Sequence, residues 1–194
     1  IEKKCEVTGI DYNVKQNQKL KNYINHNLDN GLPEINYDHF DYILILDVIE
    51  HLKDPENFFV ELKEKLKNNS KAKVLISTPN IAFFIMRFML LFGKFNYGSR
   101  GILDKTHTRL FTFSSFSNLV RQSDYNVLKT FGVPAPFRLA IGENLLSKFL
   151  ETFNILLIKL SKKLFSFQIF LVIKPNTSLD KLLEQAETNA KDKI

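Results

Sequence analysis

The chain has 194 residues, 44% of them apolar, enough for one domain with a substantial core. Its single cysteine, Cys5, excludes an internal disulfide framework and has no companions at structural-zinc spacing. The formal charge of +6, from 27 basic and 21 acidic residues, is spread along solvated stretches, which argues against nucleic acid as the partner.

Val7–Ile10 reads as a short apolar strand ending at Asp11. Residues 14–24 are polar with Leu20 and Tyr23 on one side, a helix pattern, and Asn30-Gly31 with Pro33 marks a turn. Phe40–Leu46 (FDYILIL) is almost wholly apolar, as expected of a parallel strand buried on both faces. Asp54-Pro55 opens a helix, since Asp54 can cap free amides and proline is tolerated in the first turn. Phe58, Phe59, Leu62 and Leu66 supply its apolar stripe through residue 67. Val74–Ser77 is the next strand, stopped by Thr78-Pro79-Asn80, which completes a strand–helix–strand unit.

Ile81–Phe92 reads as a helix that is apolar nearly all round, so it is expected to be buried, to lie under a lid, or to face lipid. Gly93–His107 is a polar and aromatic loop. A helix follows from Ser114 or Ser115 to about Ser123, then a strand over Asn126–Phe131 and a proline-bearing connector over Val133–Phe137. Residues 143–164 hold one or two helices, and Phe167–Ile173 is a last strand. Residues 176–194 form a tail with a polar helical pattern.

This alternation predicts an α/β fold with a mostly parallel sheet covered on both faces. Ligands bind beyond the carboxyl ends of such strands, which singles out Asp11, Asp47 and Thr78-Pro79-Asn80. No stretch reaches the ~20 apolar residues that span a bilayer. Ile1–Lys4 leads straight into the first strand, so no secretory leader is expected there and a cytoplasmic location is.

The segment FDYILILDVIEHLKDP at 40–55 resembles the fourth strand and its continuation in class I S-adenosylmethionine-dependent methyltransferases, particularly their ubiquinone-biosynthesis-like branch. VLISTPN at 74–80, GKFNYG at 93–98 and GILDKTHTRLFT at 101–112 extend the resemblance, which covers residues 7–131. It implies a Rossmann-like three-layer sandwich around a seven-stranded, mostly parallel sheet with a reversed final hairpin. Val7–Ile10 becomes strand two, and a short strand three is implied near Tyr23–Asn25. The family's first strand and glycine-rich loop have no counterpart, so an incomplete domain over 1–175 is expected, with a helical insertion at 143–165. Unpaired edges on strands two and four would then invite a homo-oligomer.

The implied cofactor is S-adenosylmethionine. By resemblance, Asp11 meets its ribose hydroxyls, Asn27 and Leu28 lie near adenine, and Leu46 and Asp47 lie near the methionine part. Asn27 departs from the family's usual acid there, and a plain turn cap is an equal reading of it. Asn80, Asp104 and Arg109 are substrate-side candidates, with a local Asp104–Arg109 salt bridge as the alternative. His107 is the first candidate base and His51 the second, because an imidazole can take a proton near neutral pH. The spacing carries no metal-ligand signature, so no metal is expected.

The reaction implied is methyl transfer to oxygen or nitrogen of a small or lipid-linked acceptor. Residues 145–165 carry leucines and phenylalanines at helical spacing beside Lys159, Lys162 and Lys163. Core packing is the preferred reading of that stripe, and peripheral contact with the inner membrane face is the other. A non-catalytic methyltransferase-like partner and a membrane-interface protein remain as alternatives to the enzyme.

Overall fold

The computed structural model describes residues 5–12, 22–69 and 71–176. Strands β1 (Thr8–Asp11) and β2 (Asn22–Asn25) pair in parallel. The third strand implied by the resemblance is therefore β2. Of the helix pattern read over 14–24, residues 22–24 are strand instead, with Asn22 pairing with Thr8, and residues 13–21 lie outside the described residues.

The strand–helix–strand unit is present. Strand β3 (Tyr42–Leu46) runs parallel to β4 (Lys73–Pro79), and helix α1 (Pro55–Lys65) connects them. The Asn57 amide donates to the Asp54 carboxylate at 2.9 Å, and Pro55 occupies the first turn. Helices α2 (Phe84–Leu91) and α3 (Phe113–Gln122) follow, then β5 (Tyr125–Val133). Thr112 and Ser115 cap α3 reciprocally.

Three helices, α4 (Phe137–Ile141), α5 (Leu145–Leu160) and α6 (Lys162–Phe165), lead into β6 (Gln168–Pro175). Helix α4 was not legible in the proline-bearing connector. The chain turns helical directly after Pro136, whose carbonyl accepts from the Leu139 and Ala140 amides.

The sheet order is β3-β4-β6-β5, with β6 antiparallel to both neighbours. Among the described residues the sheet has four strands, with β1–β2 a separate pair, rather than the seven strands expected of one mostly parallel sheet, and the antiparallel β6 is in keeping with the expected reversed final hairpin. Cross-strand rows explain the core. Ile43, Val74, Ile173 and Val127 lie side by side, as do Ile45, Ile76 and Leu171. These rows meet Phe58, Phe59 and Leu62 of α1 and Phe116, Leu119 and Val120 of α3 in one apolar cluster. Tyr125 closes it, with its hydroxyl donating to the Phe59 carbonyl at 3.1 Å.

The opposite face is not covered in the same way, so the two-sided burial expected of FDYILIL fails. Leu44 is 61% exposed, and Tyr42 and Leu46 are also exposed. Their side chains point away from α1, and β3 pairs only with β4 among the described residues.

Gly132 permits the close approach of β5 to the α6–β6 junction. A Cβ there would lie 1.8 Å from the Ser166 Oγ. The tail read over 176–194 lies outside the described residues beyond Asn176.

Candidate functional site

Chemistry collects where β3 ends. Asp47 takes a left-handed backbone conformation with φ of 53°. Its amide donates to the Ser77 carbonyl, which extends the β3–β4 pairing by one step. Its carboxylate accepts from the Ser77 hydroxyl at 2.9 Å and from the Gln168 side-chain amide at 2.6 Å. Asp47 thereby ties together the ends of β3, β4 and β6.

A short turn of 3-10 helix, Ile49–His51, follows. Ile49 is fully buried, and its anchoring draws Glu50 inward until the residue is 1% exposed. Neither carboxylate oxygen of Glu50 has a hydrogen-bond partner. Burial pushes the Glu50 carboxyl up to about 7, and the Asp47 charge adds to the rise. The buried Thr78 hydroxyl eases it without making a hydrogen bond of ordinary geometry.

The loop bearing His107 is clamped onto this turn. The Thr108 amide donates to the Glu50 carbonyl at 2.8 Å, and the Thr108 hydroxyl donates to the carbonyls of Glu50 and Leu52. The His51 and His107 rings meet edge to face with centroids 4.8 Å apart. His51 Nδ1 lies 3.2 Å from the Thr106 carbonyl, and His107 Nδ1 lies 3.0 Å from the Ile102 carbonyl. Carbonyls only accept, so in the neutral rings these bonds assign the hydrogen to Nδ1 and leave the lone pair on Nε2. One ligand atom each from Glu50, His51 and His107 lies within 4.8 Å of the others. Their sequence spacing gave no hint of this group, and the expectation of no metal rested on that spacing and on the other roles implied by the resemblance.

The other candidates are distributed differently. Asp11 ends β1, half-buried, and its carbonyl accepts from the Tyr23 hydroxyl at 2.9 Å and from the His26 amide. Asn27 is the turn cap of its alternative reading, with its side-chain oxygen accepting from the Asp29 amide at 3.0 Å. Leu28 packs against the core from its rim, while Leu46 is exposed at the end of β3.

Asn80 is fully buried and serves the fold. Its amide nitrogen donates to the carbonyls of Lys163 and Ser166, and its oxygen accepts from the Ala82 amide. Both of its donors are thus taken. Asp104 accepts from the amide and hydroxyl of Thr106, and those bonds hold its carboxyl below the ordinary range. The Asp104–Arg109 salt bridge is replaced by one between Arg109 and Glu56, with Arg109 Nη1 within 2.6 Å of both carboxylate oxygens.

Glu50 is the member that sequence reasoning did not select. Its signal was position: it sits just beyond the apolar strand β3, at the carboxyl end where ligands gather. A shallow cavity lined by Tyr37, Glu61 and Lys65 lies at the other ends of the strands and holds none of these groups.

Residues 2–130 match the model of the methyltransferase domain family, and the chain belongs to that family. A S-adenosylmethionine-dependent methyltransferase from Archaeoglobus fulgidus is 20% identical, with a TM-score of 0.51, over 87% of this chain and 75% of that one. One from Thermotoga maritima is 11% identical, with a TM-score of 0.52, over 80% and 64%. One from Mesorhizobium loti is 12% identical, with a TM-score of 0.50, over 86% and 79%. At these identities the likeness is one of fold. The chain spans 15% of the length of a small RNA methyltransferase that it also resembles. No curated protein matches the sequence. The family is one of methyltransferase domains, and the Archaeoglobus fulgidus and Mesorhizobium loti proteins take S-adenosylmethionine as their methyl donor.

The residues present suit that donor. Asp11 places an acceptor-only carboxylate at a strand end, as a pair of ribose hydroxyls requires. Leu46 offers exposed apolar surface at the end of β3, beside an Asp47 held by Ser77 and Gln168.

Proposed function

We propose that this chain transfers a methyl group from S-adenosylmethionine to an oxygen or nitrogen of a small or lipid-linked acceptor seated against Glu50, His51 and His107. The convergence of those three side chains beyond β3 carries the reading. The lettering DVIEHL and HTRLF, by which the chain resembles the ubiquinone-biosynthesis-like branch, supplies all three of them and supports it.

When bound, the cofactor supplies an electrophilic methyl group on a positively charged sulfur. Asp11 would hold its ribose, and Leu46 with Asp47 would border its methionine part. His107 Nε2 is the group to take a proton from an acceptor hydroxyl, with His51 second, because both rings are held by their Nδ1 bonds. An amine acceptor attacks with its own lone pair and makes less use of a base. The Thr108 clamp keeps both imidazoles in register, so the protein's contribution is alignment.

Calorimetric titration of S-adenosylmethionine into the folded chain tests the reading. Saturable binding that Asp11→Ala abolishes is expected. With labelled methyl donor and a panel of phenolic, alcoholic and amine acceptors, His107→Asn should lower transfer about 10²–10⁴-fold. A folded chain that binds no cofactor would instead favour the non-catalytic partner.

One observation favours a second reading of the same site. Glu50 is a buried carboxylate without a partner, and two imidazoles stand within 4.8 Å of it. A divalent cation held by these three would satisfy Glu50 and could anchor an acceptor oxygen. Manganese binding followed by electron paramagnetic resonance should show a site that Glu50→Gln removes. Unchanged free manganese in the presence of the chain would dismiss this reading.

A further inference from the structure

Helix α5 is oriented inside out with respect to water. Its buried members are Ser147 and Asn154, seven residues apart and therefore on one face. Asn154 binds the Ala135 amide through its oxygen and the Phe165 carbonyl through its nitrogen, both at 2.9 Å. On the far side, Leu145, Phe149, Phe153, Leu156 and Leu160 form a stripe down the whole helix, and every one of them is exposed. Leu145 is 85% exposed and Leu160 80%. A surface helix that meets only water presents the reverse pattern. The core packing expected of this stripe is therefore not what the structure shows.

A second apolar helix joins the same flank. Phe84 at the start of α2 lies 5.7 Å from Phe165 of α6, ring centre to ring centre, and Asn80 clasps α6 to the end of β4. Along α2 and just after it, Phe88, Leu91 and Phe92 are exposed, Leu91 to 77%. Contiguous apolar surface on this scale marks an interaction site.

Charge identifies the occupant. Residues 81–103 contain Arg87, Lys94 and Arg100 and no acidic residue. Residues 129–165 contain six basic residues and two acidic ones, and one of the acids, Glu151, is paired with Arg138. These two segments hold a net excess of seven positive charges, so the formal +6 of the whole chain resides here. Lys148 and Lys159 border the apolar stripe of α5 along one side, where long basic side chains can reach past apolar groups to a charged layer. A second copy of the chain would bring like charges together, and cores of protein interfaces are depleted of charge. No helix of the described residues is long and apolar enough to cross a membrane.

We propose that α2 and the α4–α6 helices form a docking surface for an anionic phospholipid bilayer, with the α5 stripe lying in the plane of the headgroups. The surface adjoins the carboxyl end of β4, where Thr78 meets Glu50, so docking would set the candidate site against the lipid layer. The inference rests on the helices alone and does not depend on methyl transfer.

Co-sedimentation of the full chain with vesicles tests it. One set is phosphatidylcholine, and the other contains 30% phosphatidylglycerol on the order of the anionic content at which surface attraction is strong. Binding to the anionic vesicles is expected, weakening about tenfold or more in high salt or in the Lys148→Glu/Lys159→Glu variant. Phe149→Glu/Leu156→Glu should abolish it. Both pairs are exposed, so unfolding curves matching the parent keep these variants interpretable. No binding to anionic vesicles, or equal binding to both kinds, overturns the proposal. So does a dimer in gel filtration that Phe149→Glu/Leu156→Glu dissolves while vesicle binding persists.

Discussion

On one face of the central sheet, Val74, Ile76, Ile169, Leu171 and Ile173 are completely buried beneath α1 and α3. On the other, Leu44 of β3 and Phe131 of β5 are exposed, and the helices on that flank turn leucine and phenylalanine outward. The closed face is held by removal of apolar area from water. The open flank is held by polar clasps, Asn80 on α6 and Asn154 between the β5–α4 connector and α6. The difference shows that apolar content does not predict burial here. What decides it is whether a second element arrives to cover the stripe.

The sharpest way to break this comparison is a matched pair of truncations. Phe116→Ala in the closed face should cost about 3–5 kcal/mol. Phe149→Ala on α5 should stay within about 0.5 kcal/mol. Urea denaturation measures both, and comparable losses would mean that the two flanks are equally packed.

Glu50 lies where the closed face meets the site. Its folded carboxyl sits at about 7 against an ordinary 4.5. A raised folded value means that the neutral form is favoured, so stability is full below 4.5 and is lost as pH rises through 7. In metal-free protein that loss should be on the order of 3 kcal/mol, and Glu50→Gln should flatten it. Thermal unfolding between pH 4.5 and 8 checks this. A parent profile as flat as the variant's would show that Glu50 is not buried as a bare carboxylate.

Asn80→Ala should cost about 2 kcal/mol, because the Lys163 and Ser166 carbonyls lose their donors. Hydrogen exchange should quicken in α6 and the start of α2 while α1 and α3 keep their protection. The smallest effect belongs to the closed face's rim, where Lys63 and Asn176 bind Asp124 and hold its carboxyl below the ordinary range. Asp124→Asn should cost about 0.2–1 kcal/mol at neutral pH. A depressed folded value contributes stability above the unfolded one, so that cost should vanish as pH falls through the folded value. A cost that persists in acid would assign it to shape rather than charge.

Local signals were legible wherever a few neighbouring residues decide the outcome. Asp54-Pro55 opens α1 as read, and the α1 stripe of Phe58, Phe59 and Leu62 is buried as read. The helix after Thr112 and the strands at β4, β5 and β6 lie within a few residues of their expected bounds. The apolar run FDYILIL was legible as a strand but not as one with an exposed side, because its lettering is the same in either setting. Likewise, leucines at helical spacing in α5 establish a stripe without saying which way it faces.

The sequence by itself determined the alternation of strands and helices, the strand ends where chemistry collects, and the family to which those ends belong. Caps, periodicity and turns are written in adjacent residues, so a local reading reaches them. Only the tertiary structure decided that Glu50 and His107 share a site, because the bonds that join them, from Thr108 to Glu50, cross 58 positions of chain. Only the tertiary structure decided that α5 faces outward, because Asn154 finds its partners in Ala135 and Phe165, and a helix held by its polar side must show its apolar side to whatever surrounds it.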